Sequence, residues 1–373
     1  MASVASPGVS RVESENAIRA PRGVLIAGNF LSRAGGNRGV CEDLAERLGG
    51  LGWPLVTTST HTGRLARLAD ILHTAWSKRA DYEVAQIDLF SGPAFFWALA
   101  LGWLLRRLRK PYILTLHGGN LPGFSIRWPR LAGWLLRGAA AVTAPSGYLA
   151  GALHEFRSDI EILPNAIDLA SYPFRRRNRA SARLVWLRAF HDIYDPQLAI
   201  RALALLTAQF PEIHLVMAGP DKRDGSFEAT RALARSLGVE AHVEFAGRVP
   251  KSGVAATIDR GDIFLNTSKI DNYPVTLLEA MACGACVVTT APGGVPYMAQ
   301  DGINCLSAPM GDAAALARAI GELLTRPELA GRVSGQARAG VEACDWPVVL
   351  RRWQALLTRA ATLSSYPKKG IHT

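Results

Sequence analysis

Two α/β domains, each built on a doubly wound parallel sheet, are what this sequence predicts, on three observations. Short apolar runs alternate with helix-period stripes from one end to the other. The runs are continuous rather than alternating with polar residues, as expected of strands covered on both faces. A length of 373 residues suits about two domains of ordinary size.

The first half opens with residues 24–28 (VLIAG), a strand ending in glycine. Val40, Cys41, Leu44, Ala45 and Leu48 follow at helical spacing, with Asn37 placed to cap that helix. Further strands are expected at 55–59, 84–89, 112–116, 140–144 and 160–163, with an apolar helix at 93–105 (PAFFWALALGWLL). In the second half a strand is expected at 184–187. Asp195-Pro196 then supplies an N-cap and first-turn proline for the stripe Ala199, Ala202, Leu203, Leu206 and Phe210. Strands at 213–218, 242–245, 263–266 and 286–289 complete the second set. The stretch 165–178 (NAIDLASYPFRRRN) has neither periodicity and marks the boundary, and a last helix over 347–360 carries Val349, Trp353, Leu356 and Leu357 on one face.

Composition narrows the class. Hydrophobic residues at 49% and charged ones at 20% exclude a disordered chain, and 35 glycines without a triplet period exclude collagen. The excess of 42 basic over 31 acidic residues, +11, suits phosphates, nucleotides or an anionic surface. No aromatic-and-basic nucleic-acid motif accompanies it. Five scattered cysteines (Cys41, Cys283, Cys286, Cys305 and Cys344) are no disulfide framework and point to a reducing cytoplasm. Cys283 and Cys286 form a lone C-x-x-C that reads as buried small hydrophobes rather than a metal or redox pair. The first twenty residues lack the apolar run of a secretory signal. The 93–105 helix is shorter than the roughly 20 residues a membrane span needs. It reads as a core helix, or as one lying on a membrane with Arg106, Arg107, Arg109 and Lys110 toward anionic headgroups.

Ligands of open parallel sheets bind at the C-terminal strand ends, and the chemistry-bearing segments all fall there. The loop 28–39 (GNFLSRAGGNRG) places Gly35 and Gly36 before a helix, where bare backbone can approach a phosphate, yet it is neither G-x-G-x-x-G nor a Walker loop. The strand end TLHGGN sets His117 beside two glycines. The segment 271–290 (DNYPVTLLEAMACGACVVTT) holds Asp271 and Glu279, carboxylates of the kind that accept hydrogen bonds from the paired hydroxyls of sugars and riboses. The competing reading is local: Thr276 to Glu279 fits a capping box, in which the glutamate only ties down the helix start.

At this segment the sequence resembles the retaining GT-B glycosyltransferases of family 4 (glycosyl transferases group 1), which carry a Glu-x7-Glu element before a helix close to LLEAMACG. APS at 144–146, LPNAID at 163–168, MAGP at 217–220, FAGRVP at 245–250 and GGVPYMAQDGINCL at 293–306 agree in order and spacing. The resemblance implies two Rossmann-like domains facing across a cleft: an acceptor domain over 22–167 and a nucleotide-sugar domain over 168–345. A helix over 346–361 crosses back to the first domain, and tails lie at 1–21 and 362–373. It further implies transfer of a sugar from a nucleoside diphosphate with retained configuration and with neither metal nor cofactor. The acceptor would be a carbohydrate or lipid-linked molecule in surface polysaccharide or glycolipid synthesis, and the enzyme cytoplasmic or peripheral on the inner membrane face. Carried over by residue, Glu279 would hold the ribose and Arg188 the diphosphate. Asp271 and the backbone of Asn272, Tyr273 and Val275 would face the donor sugar and phosphates, as would His117, with Gly35 and Gly36 beside them. The sequence departs from the family twice. Asp271 stands where glutamate is usual, and the lysine usual a few residues after the arginine is missing near Tyr194, leaving Arg38, His191 or Arg248 to supply a second positive charge. The alternatives are a catalytically weak nucleotide-sugar binding or scaffold protein of the same fold, and a GT-B nucleotide-sugar epimerase.

Overall fold

Alternation of side chains along the twelve short strands of the described residues builds two sheets, each with a core on both faces. The computed structural model describes residues 21–32 and 39–365. The first six strands are β1 (Val24–Ala27), β2 (Leu55–Thr58), β3 (Val84–Leu89), β4 (Tyr112–Leu116), β5 (Ala141–Ala144) and β6 (Glu161–Ile162), paired in the order β2-β1-β3-β4-β5-β6. The second six are β7 (Arg183–Leu187), β8 (His214–Ala218), β9 (Val243–Gly247), β10 (Ile263–Asn266), β11 (Cys286–Thr290) and β12 (Leu306–Ala308), in the order β12-β11-β10-β7-β8-β9. Every strand pair is parallel.

In β1, Val24 and Ile26 enter one apolar cluster while Leu25 and Ala27 enter another. In β7, Leu184 and Trp186 face one cluster and Val185 and Leu187 the other. The strict period of two is what makes each run apolar throughout. The strand β12 was not expected: three residues inside DGINCLSAP carry too little pattern to register, and its pairing with β11 supplies what the sequence does not.

Several expectations shift by a few residues. The first helix, Val40–Gly50, is preceded by Gly39 as N-cap, and Asn37, expected to cap it, lies outside the described residues. Asp195 does cap its helix, accepting from the Leu198 N–H at 3.2 Å. The tail expected over 1–21 lies, apart from Pro21, outside the described residues. The last helix, Trp346–Ser365, takes in the first four residues of the tail expected over 362–373, the rest of which lies outside the described residues. This helix returns to the first sheet: Trp346, Val349, Trp353, Leu356 and Leu357 share a cluster with Val24, Ile26 and Leu44. The chain crosses between the halves twice, side by side, with Ile167 N donating to Cys344 O at 2.9 Å and Trp346 N to Ile167 O at 3.0 Å.

The apolar helix Pro93–Arg107 buries Phe95, Ala98, Leu101, Gly102 and Leu105 and turns Phe96 and Trp103 outward. Among the described residues no helix is long and apolar enough to cross a membrane. All five cysteines are buried and unbridged, and burial pushes the Cys286 thiol up to about 12.

Candidate functional site

The second sheet contributes its strand ends first. Arg188 directly follows β7, and its N–H donates to Ala218 O at 3.0 Å at the end of β8. Gly219 makes that approach possible: its φ is +146°, and a Cβ there would sit 1.7 Å from the Arg188 carbonyl oxygen. The Arg188 guanidinium pairs with Asp271 through Nη2, donates from Nη1 to Thr276 Oγ1 at 3.3 Å, and lies over the Tyr194 ring at 4.1 Å. Its Nε has no partner. Asp271 is engaged at both oxygens, since Oδ1 accepts from Asn272 N at 2.9 Å and Oδ2 from Ser268 Oγ at 3.4 Å as well as from Arg188. Tyr194, read from sequence as the place of an absent lysine, is thus the aromatic face on which the arginine is stacked.

The helix Val275–Ala282 follows. Its N-cap is Pro274 with no side-chain cap, so the capping box does not form. Thr276 faces Arg188 instead, and Glu279, one turn on and nearly fully buried, accepts from Tyr172 OH at 2.7 Å and pairs with Lys251 Nζ. Burial, reinforced by the Glu279 charge and hydrogen bond, pushes the Tyr172 phenol up, so it stays a donor. Tyr172 and Lys251 carry no motif. They come from the linker between the sheets and from the short turn after β9, and nothing in the sequence pairs them with Glu279.

From the first sheet, His117 follows β4 and its Nε2 lies 3.0 Å from Asp88 Oδ1, with Phe90 stacked on the ring at 4.8 Å. Burial opposes the Asp88 charge most strongly. The His117 partner, with hydrogen bonds from Gln86 and Cys41, outweighs it and holds the carboxyl below its usual range. The two halves meet at the cleft floor. Ser146 Oγ donates to Asn272 Oδ1 at 2.5 Å, Asn165 Nδ2 donates to Tyr273 O at 2.9 Å, and a Cβ on Gly119 would lie 3.2 Å from Asp271 O. Gly293, at φ +54°, presses the opposite side of the same loop, where a Cβ would come within 2.3 Å of Asp271 O.

His117 and Arg188 thus stand at strand ends, with Asp271 and Asn272 on the loop after β10 and Val275 and Glu279 on the helix that follows it. The others fare differently. Tyr273 turns its ring into the core, its hydroxyl 3.5 Å from Cys344 Sγ, so only its backbone stays at the cleft. The Asn272 N–H is taken by Asp271. Arg248 is exposed after the edge strand β9, and His191 lies 3.6 Å from Asp224. Gly35, Gly36 and Arg38 lie outside the described residues. Among the described residues no three His, Cys, Asp or Glu side chains are grouped to hold a metal ion.

Comparison with known proteins agrees with this layout. The family model described as Glycosyl transferases group 1 matches residues 183–340, and that of Glycosyltransferase Family 4 matches 40–171, one for each sheet. A phosphatidyl-myo-inositol mannosyltransferase of Mycobacterium leprae is 24% identical over 82% of this chain and 82% of its own. An N-acetyl-alpha-D-glucosaminyl L-malate synthase of Bacillus anthracis is 27% identical over 62% of this chain, which spans 63% of that protein. Among solved structures, HepE of Anabaena, determined with UDP and glucose, superposes with a TM-score of 0.72 at 18% identity, covering 92% of this chain and all of that one.

Proposed function

This chain belongs to the group 1, family 4 glycosyltransferases of GT-B fold, and we propose that it moves a sugar from a nucleoside diphosphate to an acceptor with retained configuration and without a metal. The observation that carries the reading is the helix Val275–Ala282, whose Thr276 meets the Arg188 guanidinium and whose buried Glu279 lies one turn further on. Arg188 takes the charge that builds on the β-phosphate as the bond to the sugar breaks, helped by the N-terminus of the helix Val275–Ala282. Glu279 accepts the ribose hydroxyls. Both oxygens of Asp271 are occupied, which supports a route in which no protein carboxylate attacks the sugar and the departing phosphate oxygen takes the acceptor's proton. UDP is the first nucleotide to try, since HepE was determined with it. The name of the mannosyltransferase relative, which acts on phosphatidyl-myo-inositol, supports a glycolipid acceptor.

A thermal-shift series with UDP, GDP, ADP and CMP, each with and without EDTA, tests the reading. A nucleotide at 100 times its Kd stabilises by about 2.7 kcal/mol, so one nucleoside diphosphate should stand out and EDTA should not alter it. No shift with any of them would overturn the donor site. Binding without turnover would favour the scaffold alternative, and an epimer formed without acceptor the epimerase. Anomeric analysis of the transfer product by NMR then decides retention.

We further propose that the enzyme works on the inner face of a membrane. Leu72, Trp76, Ala100, Trp103 and Leu104 line an open apolar groove between the helices Arg64–Ser77 and Pro93–Arg107. Trp76 and Trp103 are 53% and 51% exposed, and Arg79 and Arg107 lie over them at 4.8 and 5.0 Å. Exposed indoles under guanidinium groups fit the boundary between acyl chains and anionic headgroups. Sedimentation with phosphatidylglycerol vesicles should show binding that weakens with added salt and falls in Trp76→Ser/Trp103→Ser. Equal binding by that double variant would place the contact elsewhere.

A further inference from the structure

The acceptor half contains a buried cation for which the donor reaction has no use. Arg67, in the helix Arg64–Ser77, is only 7% exposed, and among the described residues no carboxylate pairs with it. The nearest acid on its own helix, Asp70, is taken by Thr58 and Thr74 at 2.9 and 3.3 Å. Neutral oxygens hold the guanidinium: Nε and Nη2 donate to His61 O at 2.9 and 2.6 Å, and Nη1 to Asn29 Oδ1 at 2.6 Å, with the Trp97 ring 5.3 Å away. A guanidinium has five N–H donors, so one on each terminal nitrogen is left over. Burial lowers the pKa of Arg67, with no compensating charge against it. A charge kept in low dielectric without a counter-ion is costly, and an anion brought to it would offset that cost.

Its position says what that partner meets. Arg67 lines a hollow of about 30 Å³ at the C-terminal ends of β1 and β3, shared with Asn29, Asp88, Phe90 and Trp97. That is on the scale of a water molecule, enough for the tip of a ligand and not for a sugar ring. Asp88 and Phe90 are the two residues against His117. The hollow is therefore one side-chain layer from the ring expected beside the transferred sugar. Asp88, the acid in its wall, is engaged by Gln86 and His117.

We propose that Arg67 is the acceptor-recognition residue of this enzyme, binding an oxyanionic group, phosphate or carboxylate, carried by an acceptor whose hydroxyl lies toward His117. The inference rests on the glycosyltransferase reading and narrows its acceptor to an anionic class. The planar fork of arginine suits both oxyanions.

The test titrates protein already saturated with UDP, so that phosphate cannot occupy the donor site, with inorganic phosphate and with succinate by calorimetry. A parallel arm uses phosphatidic acid vesicles against neutral phosphatidylcholine vesicles. Asn29→Asp is the main variant, because it sets a carboxylate against Arg67 and satisfies the charge without emptying the core. Arg67→Met is the second, accepted only if its thermal midpoint shows it folded. Binding of phosphate or succinate, weakened about tenfold or more in Asn29→Asp while UDP affinity holds, supports the proposal and assigns a soluble acceptor. The same loss seen only with phosphatidic acid vesicles supports it and assigns a lipid-borne one. No oxyanion binding in any arm, or equal binding by Asn29→Asp, overturns it. Failure of UDP to bind in the first step is a separate result that removes the donor reading instead.

Discussion

Replacing Arg188 by methionine should lower kcat by about 10²–10³-fold, the scale of losing one preorganised donor to a developing oxyanion. The guanidinium is fixed on three sides, by Asp271, Thr276 and the Tyr194 ring, so it needs no rearrangement as charge builds on the leaving diphosphate. The substitution also strands Asp271 in a largely buried place, at a cost of about 1–3 kcal/mol in stability. Asn272 N and Ser268 Oγ still serve that carboxylate and keep the cost from rising further. The two effects separate in the double variant Arg188→Met/Asp271→Asn, which removes the stranded charge. Its thermal midpoint should recover toward that of the parent while turnover stays low. Recovery of turnover together with stability would mean that Arg188 only neutralises Asp271. Arg188→Lys should fall between, because it keeps the charge and loses the second donor to Thr276 and the guanidinium over the Tyr194 ring.

What could be read from sequence follows the range of the interactions involved. The strands β1, β3, β4, β7, β8, β10 and β11 announce themselves because most residues of each run meet an apolar cluster on one face or the other. His117 and Asp271 stood out as polar groups at or just beyond strand ends, where parallel sheets bind ligands, whereas Arg188 was expected only from the resemblance to the family. The partners of Glu279 were not legible. Tyr172 lies 107 residues from Glu279 in the chain and Lys251 lies 28 away, so their meeting is a property of the fold alone. Thr276 and Glu279 show the converse, a local signal outcompeted. The spacing of a capping box is present, but Arg188 on one side and Tyr172 with Lys251 on the other leave the helix start to Pro274. In the same way, an unbroken apolar stretch such as 93–105 states that a helix is apolar and not which side stays uncovered. The neighbouring helix Arg64–Ser77 leaves Trp103 in the open while burying Leu101.

Glu279→Gln separates the two roles that spacing alone left open. The amide keeps the shape and an oxygen to accept from Tyr172 OH, so the buried hydrogen bond survives. What is lost is the pairing with Lys251, whose side chain is 56% exposed, and a bridge screened to that extent is worth at most about 1 kcal/mol. Stability should therefore change by no more than about 1 kcal/mol. UDP affinity should fall about 10- to 100-fold, because hydrogen bonds to a charged acceptor are worth about 1.5–3 kcal/mol and a neutral amide oxygen forfeits most of that. Titrating 2′,3′-dideoxy-UDP in parallel locates the loss. The parent should prefer UDP over the dideoxy compound by a similar factor, and Glu279→Gln should bind the two alike. If the variant still prefers UDP as the parent does, Glu279 does not touch the ribose and serves only to hold Tyr172 and Lys251. If its thermal midpoint collapses while that preference survives, the carboxylate is a structural tie between the linker and the second sheet.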